Sequence, residues 1–187
     1  MKSLSDKYGI ATLLRATALL KKQHPEVPVQ LRIAGKGPQE NEYKALAKEL
    51  GIENITNWLG FIPQEQAALA WACMDCGIIP SESESESFGV SAVEAQACCT
   101  PVIISDIPGL MEATVPGKTS VVVPRKHPQE LAQAMYEMYM DADRRHELGQ
   151  AGREFVCETY ELNQCFEKIE KIYFHNAKKQ KGDKTPV

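Results

Sequence analysis

Serines and glutamates alternate in the middle of the chain, directly ahead of a Phe-Gly pair. The stretch reads PSESESESFGVSAVEAQ over residues 80–96, and after Gly89 its pattern becomes that of a helix of small residues. The start of a helix offers unpaired backbone N–H groups and the positive end of the helix dipole, which together suit a phosphate. Gly89 also removes a side chain where a ligand has to come close. The stretch therefore indicates a site for a polar, anionic ligand.

Two glutamates flank the Phe-Gly pair, Glu86 before the helix and Glu94 within it. A carboxylate can accept hydrogen bonds from two hydroxyl groups, so both side chains suit a sugar or a ribose. Three glutamates next to an anion would repel it, so Glu82, Glu84 and Glu86 cannot all face inward. Spacing alone leaves a second interpretation open, in which the glutamates belong to a solvated loop and a helix surface.

Helices and short apolar strands alternate along most of the chain. Five runs read as strands: VQLRIAG (29–35), ITNWLG (55–60), CGIIP (76–80), PVIIS (101–105) and TSVVVP (119–124). This alternation is typical of an α/β fold with a parallel sheet, and continuously apolar strands indicate helices on both faces. Beyond Met140 the pattern is helical only, and these helices would cap the sheet or reach a partner domain.

Four polar loops follow predicted strands. They are AGKGP (34–38), LGFIP (59–63), PSESESESFG (80–89) and SDIPGLME (105–112). Ligands of open parallel sheets bind where the carboxyl ends of the strands lead into helices. We therefore expect the four loops to lie at one end of the sheet and to border a single cleft.

The composition is that of one globular domain. The 187 residues are 43% hydrophobic and 25% charged, with a net charge of -4. No basic stripe is present, so a general nucleic-acid binder is excluded and no nucleic-acid partner is expected. No apolar run reaches the roughly 18–20 residues of a membrane span, and no leader pattern is visible. The six cysteines lie mostly in apolar patterns and predict buried, reduced thiols of a cytosolic protein.

Two short motifs suggest metal or redox chemistry, and both have simpler explanations. Cys73 and Cys76 have CxxC spacing, but they lie between a helix and a strand and lack a second ligand pair. Asp141 and Asp143 form an Asp-x-Asp pattern directly ahead of a predicted helix. Aspartate there caps the helix and complements its dipole. No metal site is predicted.

The stretch from Pro80 to Ala113 resembles the core of the C-terminal domain of GT-B glycosyltransferases of family 4. That pattern has an acidic residue before Phe-Gly, a second glutamate further along, a helix of small residues and a Pro-Val strand. Here the pattern is carried by Glu86, Phe88-Gly89, Glu94-Ala95 and Pro101-Val102. The resemblance continues in LRIAGKGP, NWLGFIP, PGLMEA and VPGKTSVVVP, and it covers roughly Lys2 to Tyr173 in consistent order.

The resemblance implies one half of a GT-B fold, a Rossmann-like parallel sheet flanked by helices with further C-terminal helices. Residues 1–175 would be the nucleotide-sugar-binding domain and 176–187 a polar, disordered tail. The chain would be the donor-binding half of a retaining hexosyltransferase that acts on a glycan or lipid-linked acceptor in polysaccharide assembly. The acceptor half would be an N-terminal domain absent from this chain, so the chain alone would transfer little or nothing. The donor would be a UDP-sugar in preference to a GDP-sugar, with no metal or cofactor.

Residue roles follow from the same resemblance. Glu86 would face the donor sugar as the catalytic carboxylate, and Glu94 would bind the ribose hydroxyls. The other implied donor contacts are Ser87, Phe88 and Gly89 for sugar and phosphate, Gly35, Lys36 and Gly37 for the diphosphate, and Phe61 and Ile62 for the base. Such a site accelerates transfer by stabilising the charge on the departing nucleoside diphosphate.

The chain departs from the family pattern at the basic pair that flanks the first loop. Ser3 and Tyr8 occupy those positions, with Lys7 one residue early and Lys36 as the rival cation. Two alternatives stay open: a GT-B relative such as a sugar-nucleotide epimerase, and a non-catalytic nucleotide-binding domain, which this departure supports. The resemblance also leads us to expect a cytoplasmic location, peripheral at the inner face of the membrane in the full-length protein.

Overall fold

A computed structural model describes the backbone of residues 3–182 and the side chains of residues 3–174. The strands are β1 (Leu31–Ala34), β2 (Thr56–Gly60), β3 (Gly77–Ile79), β4 (Val102–Ser105) and β5 (Ser120–Val123). The helices are α1 (Ile10–Gln23), α2 (Glu40–Glu49), α3 (Gln64–Ala72), α4 (Val90–Ala97), α5 (Pro108–Glu112), α6 (Pro128–Met140), α7 (Ala142–Tyr160) and α8 (Leu162–Gly182). All five predicted strands are present, which confirms the predicted α/β class.

The strands form two separate ladders, and every pairing within them is parallel. β1 pairs with β2, and β4 lies between β3 and β5. In the second ladder Ile103 lies opposite Ile78 on one side and Val121 on the other. The sequence predicted parallel strands correctly, but local patterns did not reveal that β1 and β3 would remain unpaired with each other.

Strand β4 is the centre of the core, and its alternate residues serve two hydrophobic clusters. Ile103 belongs to the cluster that contains residues of α1, α2 and α6, whereas Val102 and Ile104 belong to the cluster with residues of α4 and α5. Burial of one such aliphatic side chain contributes about 1.5–3 kcal/mol. Because helices cover both faces, every position of β4 must be apolar or small, and this explains its unbroken run of buried residues.

Helix α7 begins as the sequence predicted, and one helix, α5, was not predicted. The Asp141 carboxylate accepts a hydrogen bond of 2.8 Å from the Arg144 amide at the start of α7. The cap interpretation of the Asp-x-Asp pattern is therefore confirmed. Helix α5 begins with Pro108 inside the stretch predicted to be a loop. Proline is favourable at the first helical position because its ring fixes φ and no N–H is needed there.

Helix α8 carries a row of exposed apolar side chains. They are Leu162, Phe166, Ile169, Ile172, Tyr173 and Phe174. The backbone of α8 continues to Gly182, so it crosses the predicted boundary at residue 175, and part of the stretch predicted to be disordered is helical. Residues 183–187 of the predicted tail lie outside the described residues. Nowhere in the described chain is there a helix long and apolar enough to cross a membrane.

The six cysteines are all free thiols, as predicted. The prediction that they are buried is wrong for Cys73 and Cys157, which are exposed, and the other four are only half-buried. Cys73 follows the last turn of α3, a helix of which only Ala67 is fully buried, so the apolar residues around this cysteine are not covered. Burial raises the pKa of the Cys76 thiol to about 12, which opposes thiolate chemistry at the CxxC pair.

Candidate functional site

The loops at the carboxyl ends of the two ladders meet around residues 4–9. The Gly35 amide donates to the Gly60 carbonyl (2.7 Å), which joins the loops after β1 and β2. The Leu4 amide donates to the Lys36 carbonyl (3.1 Å), and the Glu82 amide donates to the Lys7 carbonyl (2.8 Å). Residues 4–9 therefore tie the glycine loop to the serine-glutamate loop.

Helix α4 begins at Gly89, which has a left-handed φ of +72°. Glycine adopts this conformation without a steric cost because it has no Cβ, whereas other residues lose conformational free energy there. A Cβ at Gly89 would also lie 2.5 Å from Leu110 Cδ2 of α5. As the N-cap residue, Gly89 has no side chain with which to cap α4. Gly89 is therefore required by its backbone conformation and by its contact with Leu110, and α4 begins without a side-chain cap.

Helix α5 holds the loop ahead of α4 through direct backbone packing. A Cβ at Gly109 would overlap the carbonyl oxygens of Glu86 and Ser87. Gly109 is buried, and Leu110 beside it is fully buried. The main chain of the Glu86–Ser87 segment is thus fixed against α5, and the Phe-Gly junction is positioned by contacts that admit no larger residue at 109.

The three glutamates of the serine-glutamate loop are held apart by different partners. Glu82 accepts a hydrogen bond of 2.6 Å from the Thr12 hydroxyl of α1, and Glu86 accepts one of 3.2 Å from the Ser81 hydroxyl. Both carboxylates are half-buried. The different partners agree with the expectation that the three glutamates do not all face one bound anion.

Glu84 forms an ion pair with Arg125, a basic residue that was not predicted to belong to the site. Its carboxylate lies 3.0 Å from Arg125 Nη2, and the Arg125 amide donates to Asp106 Oδ1 at 2.8 Å. Arg125 is the second residue after β5, and Asp106 directly follows β4. Both therefore lie at the carboxyl edge of the sheet, and that position in the pattern was the signal that could have identified them.

Glu94 lies on α4 and faces α3. The Trp71 indole N–H donates to its carboxylate at 3.4 Å, a long hydrogen bond. The side chain is half-buried, so the carboxylate retains capacity to accept further hydrogen bonds. The structure thus places Glu94 on the helix that starts at Gly89, as the spacing predicted.

The Phe88 ring packs outward against the end of α7. Its centroid lies 5.3 Å from that of Tyr160 in an edge-to-face arrangement, and the Tyr160 hydroxyl donates to the Glu112 carbonyl. Burial, with a smaller contribution from the negative charge of Glu112, raises the pKa of Tyr160. The Phe88 side chain therefore holds the Phe-Gly junction against α7. Only the backbone of Phe88 is left to contact a ligand.

The remaining candidates lie on the glycine loops and beside them. Lys7 and Lys36 are both exposed, and Lys7 Nζ lies 4.9 Å from the Tyr8 ring centroid. Phe61 is 72% exposed and Ile62 is half-buried. The hydrogen bonds through Gly35 and Leu4 place the Gly35–Gly37 loop beside Phe61 and beside residues 4–9. The described side chains contain no group of three metal-binding residues, and independence from metal stays a prediction.

Curated relatives match most of this chain. A D-inositol 3-phosphate glycosyltransferase of Corynebacterium kroppenstedtii is 36% identical over 148 residues, which cover 76% of this chain and 32% of the relative. The enzyme of the same name from Paenarthrobacter aurescens is 29% identical over 143 residues, covering 75% and 35%. The chain thus spans about a third of the length of the curated relatives it matches.

Solved structures share the fold. Sucrose-phosphate synthase from Thermosynechococcus elongatus superposes with a TM-score of 0.79 at 28% identity, over 91% of this chain and 43% of the other. The Anabaena protein HepE in complex with UDP-glucose superposes with a TM-score of 0.84 at 23% identity, over 94% and 47%. The family described as Glycosyl transferases group 1 matches residues 1–155. The chain belongs to this family, and it forms a C-terminal domain of the GT-B glycosyltransferase type.

Proposed function

We propose that this chain is the donor-binding half of a retaining glycosyltransferase of family 4. It would bind a nucleotide sugar, with UDP preferred over GDP, and the hexosyl group would pass to a glycan or lipid-linked acceptor. The acceptor site would lie in an N-terminal domain, so the isolated chain would transfer little or nothing. No metal or other cofactor would be needed, and the full-length protein would act in the cytoplasm, at the inner face of the membrane.

The start of α4 is the observation that carries this proposal. A left-handed Gly89, a main chain fixed by Gly109 and a helix dipole would together form a preorganised site for a phosphate, and the first two are seen in the structure. The chemistry of glycosyl transfer needs that arrangement, because negative charge builds up on the departing nucleoside diphosphate. Lys7 or Lys36, both at the adjoining loops, would supply the neutralising cation.

Two carboxylates would orient the rest of the donor. Glu94 would accept hydrogen bonds from the ribose hydroxyls, with Trp71 holding its side chain in place. Glu86 would face the transferred sugar, and Ser81 holds its carboxylate. Phe61 and Ile62 would border the base, and the main chain of Ser87 and Phe88 would meet the sugar hydroxyls.

Titration calorimetry tests the proposal. UDP, GDP, UDP-GlcNAc and GDP-mannose are each titrated with and without Mg²⁺. We expect UDP and UDP-GlcNAc to bind more tightly than GDP and GDP-mannose, with no effect of the metal. Since a hydrogen bond to a charged group contributes about 1.5–3 kcal/mol, Glu94→Gln should weaken binding by roughly 10- to 150-fold.

Glu49→Gln is the matched control, because Glu49 is exposed and lies at the last position of α2, the end of that helix far from the loops of the proposed site. It should bind donor as the unaltered chain does. Equal binding by Glu94→Gln and the unaltered chain would refute the ribose assignment. Binding without any transfer in the full-length protein would favour a non-catalytic nucleotide-binding domain, which the Ser3 and Tyr8 departures also suggest.

A further inference from the structure

Close contacts hold helix α7 against the end of α4. A Cβ at Gly152 would lie 3.0 Å from Gln96 Cγ, so the two helices approach each other where glycine leaves no side chain. Gln96 is fully buried there. The Arg153 guanidinium donates to the carbonyl of Ala97, the last residue of α4. The middle of α7 therefore has a fixed position beside the C-terminal end of α4.

The last residue of α7, Tyr160, lies at the other end of α4. Its ring centroid is 5.3 Å from that of Phe88, at an interplanar angle of 89°. Gly152 and Tyr160 are eight residues apart, as are Phe88 and Gln96, and eight residues of helix extend about 12 Å. Helices α4 and α7 are therefore antiparallel, and α7 extends from the end of α4 to its start.

The Phe88 side chain attaches the Phe-Gly junction to the rest of the domain. Ser87 before it and Val90 after it are exposed, whereas Phe88 is half-buried. In an edge-to-face pair the positive edge of one ring meets the negative face of the other, so the contact with Tyr160 also fixes the orientation of the Phe88 ring. The conformation of the junction therefore depends on the position of Tyr160.

Tyr160 also holds α5, the second support of the junction. Its hydroxyl donates to the carbonyl of Glu112, the last residue of α5, at 3.3 Å. A helix of five residues has little stability of its own, so its position depends on such contacts. Because Gly109 of α5 packs on the backbone of residues 86–87, a shift of α5 would move the junction. Tyr160 thus contacts both of the groups that support the junction, the Phe88 ring and the end of α5.

We propose that Tyr160 is a positioning residue of the donor site. Its ring orients Phe88 and its hydroxyl holds α5, so that the backbone of residues 86–89 keeps the conformation that binds the sugar and phosphate of the donor. Tyr160 acts through these two contacts and touches neither the donor nor the reacting atoms. This inference rests on the proposed donor site, and it assigns part of the geometry of that site to the end of α7.

Two substitutions of Tyr160 separate the ring from the hydroxyl. UDP binding is measured by calorimetry, and amide exchange is followed at residues 86–90 and 110–113 without ligand. Tyr160→Leu should weaken UDP binding by about 2- to 10-fold, the loss expected for one aromatic pair, and should speed exchange at residues 86–90 by about threefold or more. Tyr160→Phe keeps the ring, so it should restore most of this affinity and speed exchange only at residues 110–113. Unchanged exchange there would refute the role of the hydroxyl, whether or not Tyr160→Leu folds.

Tyr136→Leu is the matched control. Tyr136 also forms an aromatic pair, with its ring centroid 3.6 Å from that of His24. His24 lies just beyond the C-terminal end of α1, the end opposite to residues 4–9. Tyr136→Leu should therefore leave UDP binding and exchange at residues 86–90 unchanged. An equal loss of affinity in Tyr136→Leu and Tyr160→Leu would overturn the proposal, because the loss would then reflect general destabilisation.

Phe88→Leu shows whether Tyr160 acts through Phe88. In that background Tyr160→Leu should weaken UDP binding no more than Tyr160→Phe does in the otherwise unaltered chain. A second loss of full size would overturn the proposal, as would unchanged exchange at residues 86–90 in Tyr160→Leu. If the unaltered chain binds no UDP, the proposed donor site fails separately, and exchange at residues 86–90 still decides whether Tyr160 holds the junction.

Discussion

Replacement of Gly89 by alanine should destabilise the fold through two separable effects. A left-handed φ costs a non-glycine residue about 1–2 kcal/mol. The new Cβ would lie 2.5 Å from Leu110 Cδ2, and crowding of this kind in a packed core costs about 1–3 kcal/mol. We expect the free energy of unfolding of Gly89→Ala to fall by about 2–5 kcal/mol.

Gly51→Ala isolates the backbone effect. Gly51 has a φ of +70°, close to that of Gly89, but a Cβ there would meet nothing within 4 Å. Its loss of stability should therefore be only about 1–2 kcal/mol. In a Leu110→Ala background the crowding term disappears, so Gly89→Ala should then cost no more than Gly51→Ala does.

Urea denaturation followed by tryptophan fluorescence measures all four variants, with Trp58 and Trp71 as the reporters. The slope of the free energy against urea concentration should stay constant, so that the midpoints report stability. A Gly89→Ala variant no less stable than Gly51→Ala would refute the argument, since Leu110 would then have moved aside freely. The contact between α5 and the start of α4 would in that case not be a fixed part of the site.

Three further predictions concern the rest of the fold. Burial, followed by the charge of Asp6, raises the pKa of Tyr43 from 10.0 to about 12. The unfolded chain therefore loses this proton first, and stability should decline as the pH rises from about 10 to 12. Tyr43→Phe should flatten that decline in thermal melts, and an unchanged decline would contradict it. Asp141→Ala removes the cap of α7 and should cost about 1 kcal/mol in urea, whereas the neighbouring Asp143→Ala should cost much less; equal losses would count against the cap. Ile103→Ala at the buried centre of β4 should cost about 2–5 kcal/mol, and a loss below 1 kcal/mol would mean that the two clusters collapse around it.

Local patterns sufficed to predict the strands, their parallel direction and the cap at Asp141. Each depends on residues close together in the sequence, such as the apolar run of β4 or the aspartate three positions before Arg144. The prediction that the four loops share one end is supported by the hydrogen bonds that link Gly35 to Gly60 and Glu82 to Lys7.

Long-range contacts could not be predicted in the same way. The ion pair between Glu84 and Arg125 joins residues on different loops, and nothing in either local stretch specifies the other. The open edges of β1 and β3 result from strand pairing, which apolar runs do not encode. Exposure of Cys73 depends on how much of α3 the neighbouring helices cover, and that is decided only by tertiary packing.

The frame of the candidate site consists largely of main chain touching main chain. Gly35 bonds Gly60, Leu4 bonds Lys36, and Gly109 packs on the backbone of Glu86. The side chains that surround these contacts can be exchanged without moving the backbone, because the contacts use backbone atoms and the glycines themselves. Divergence on a frame of this kind can therefore change what the site binds through the surrounding side chains, whereas the frame itself tolerates almost no change.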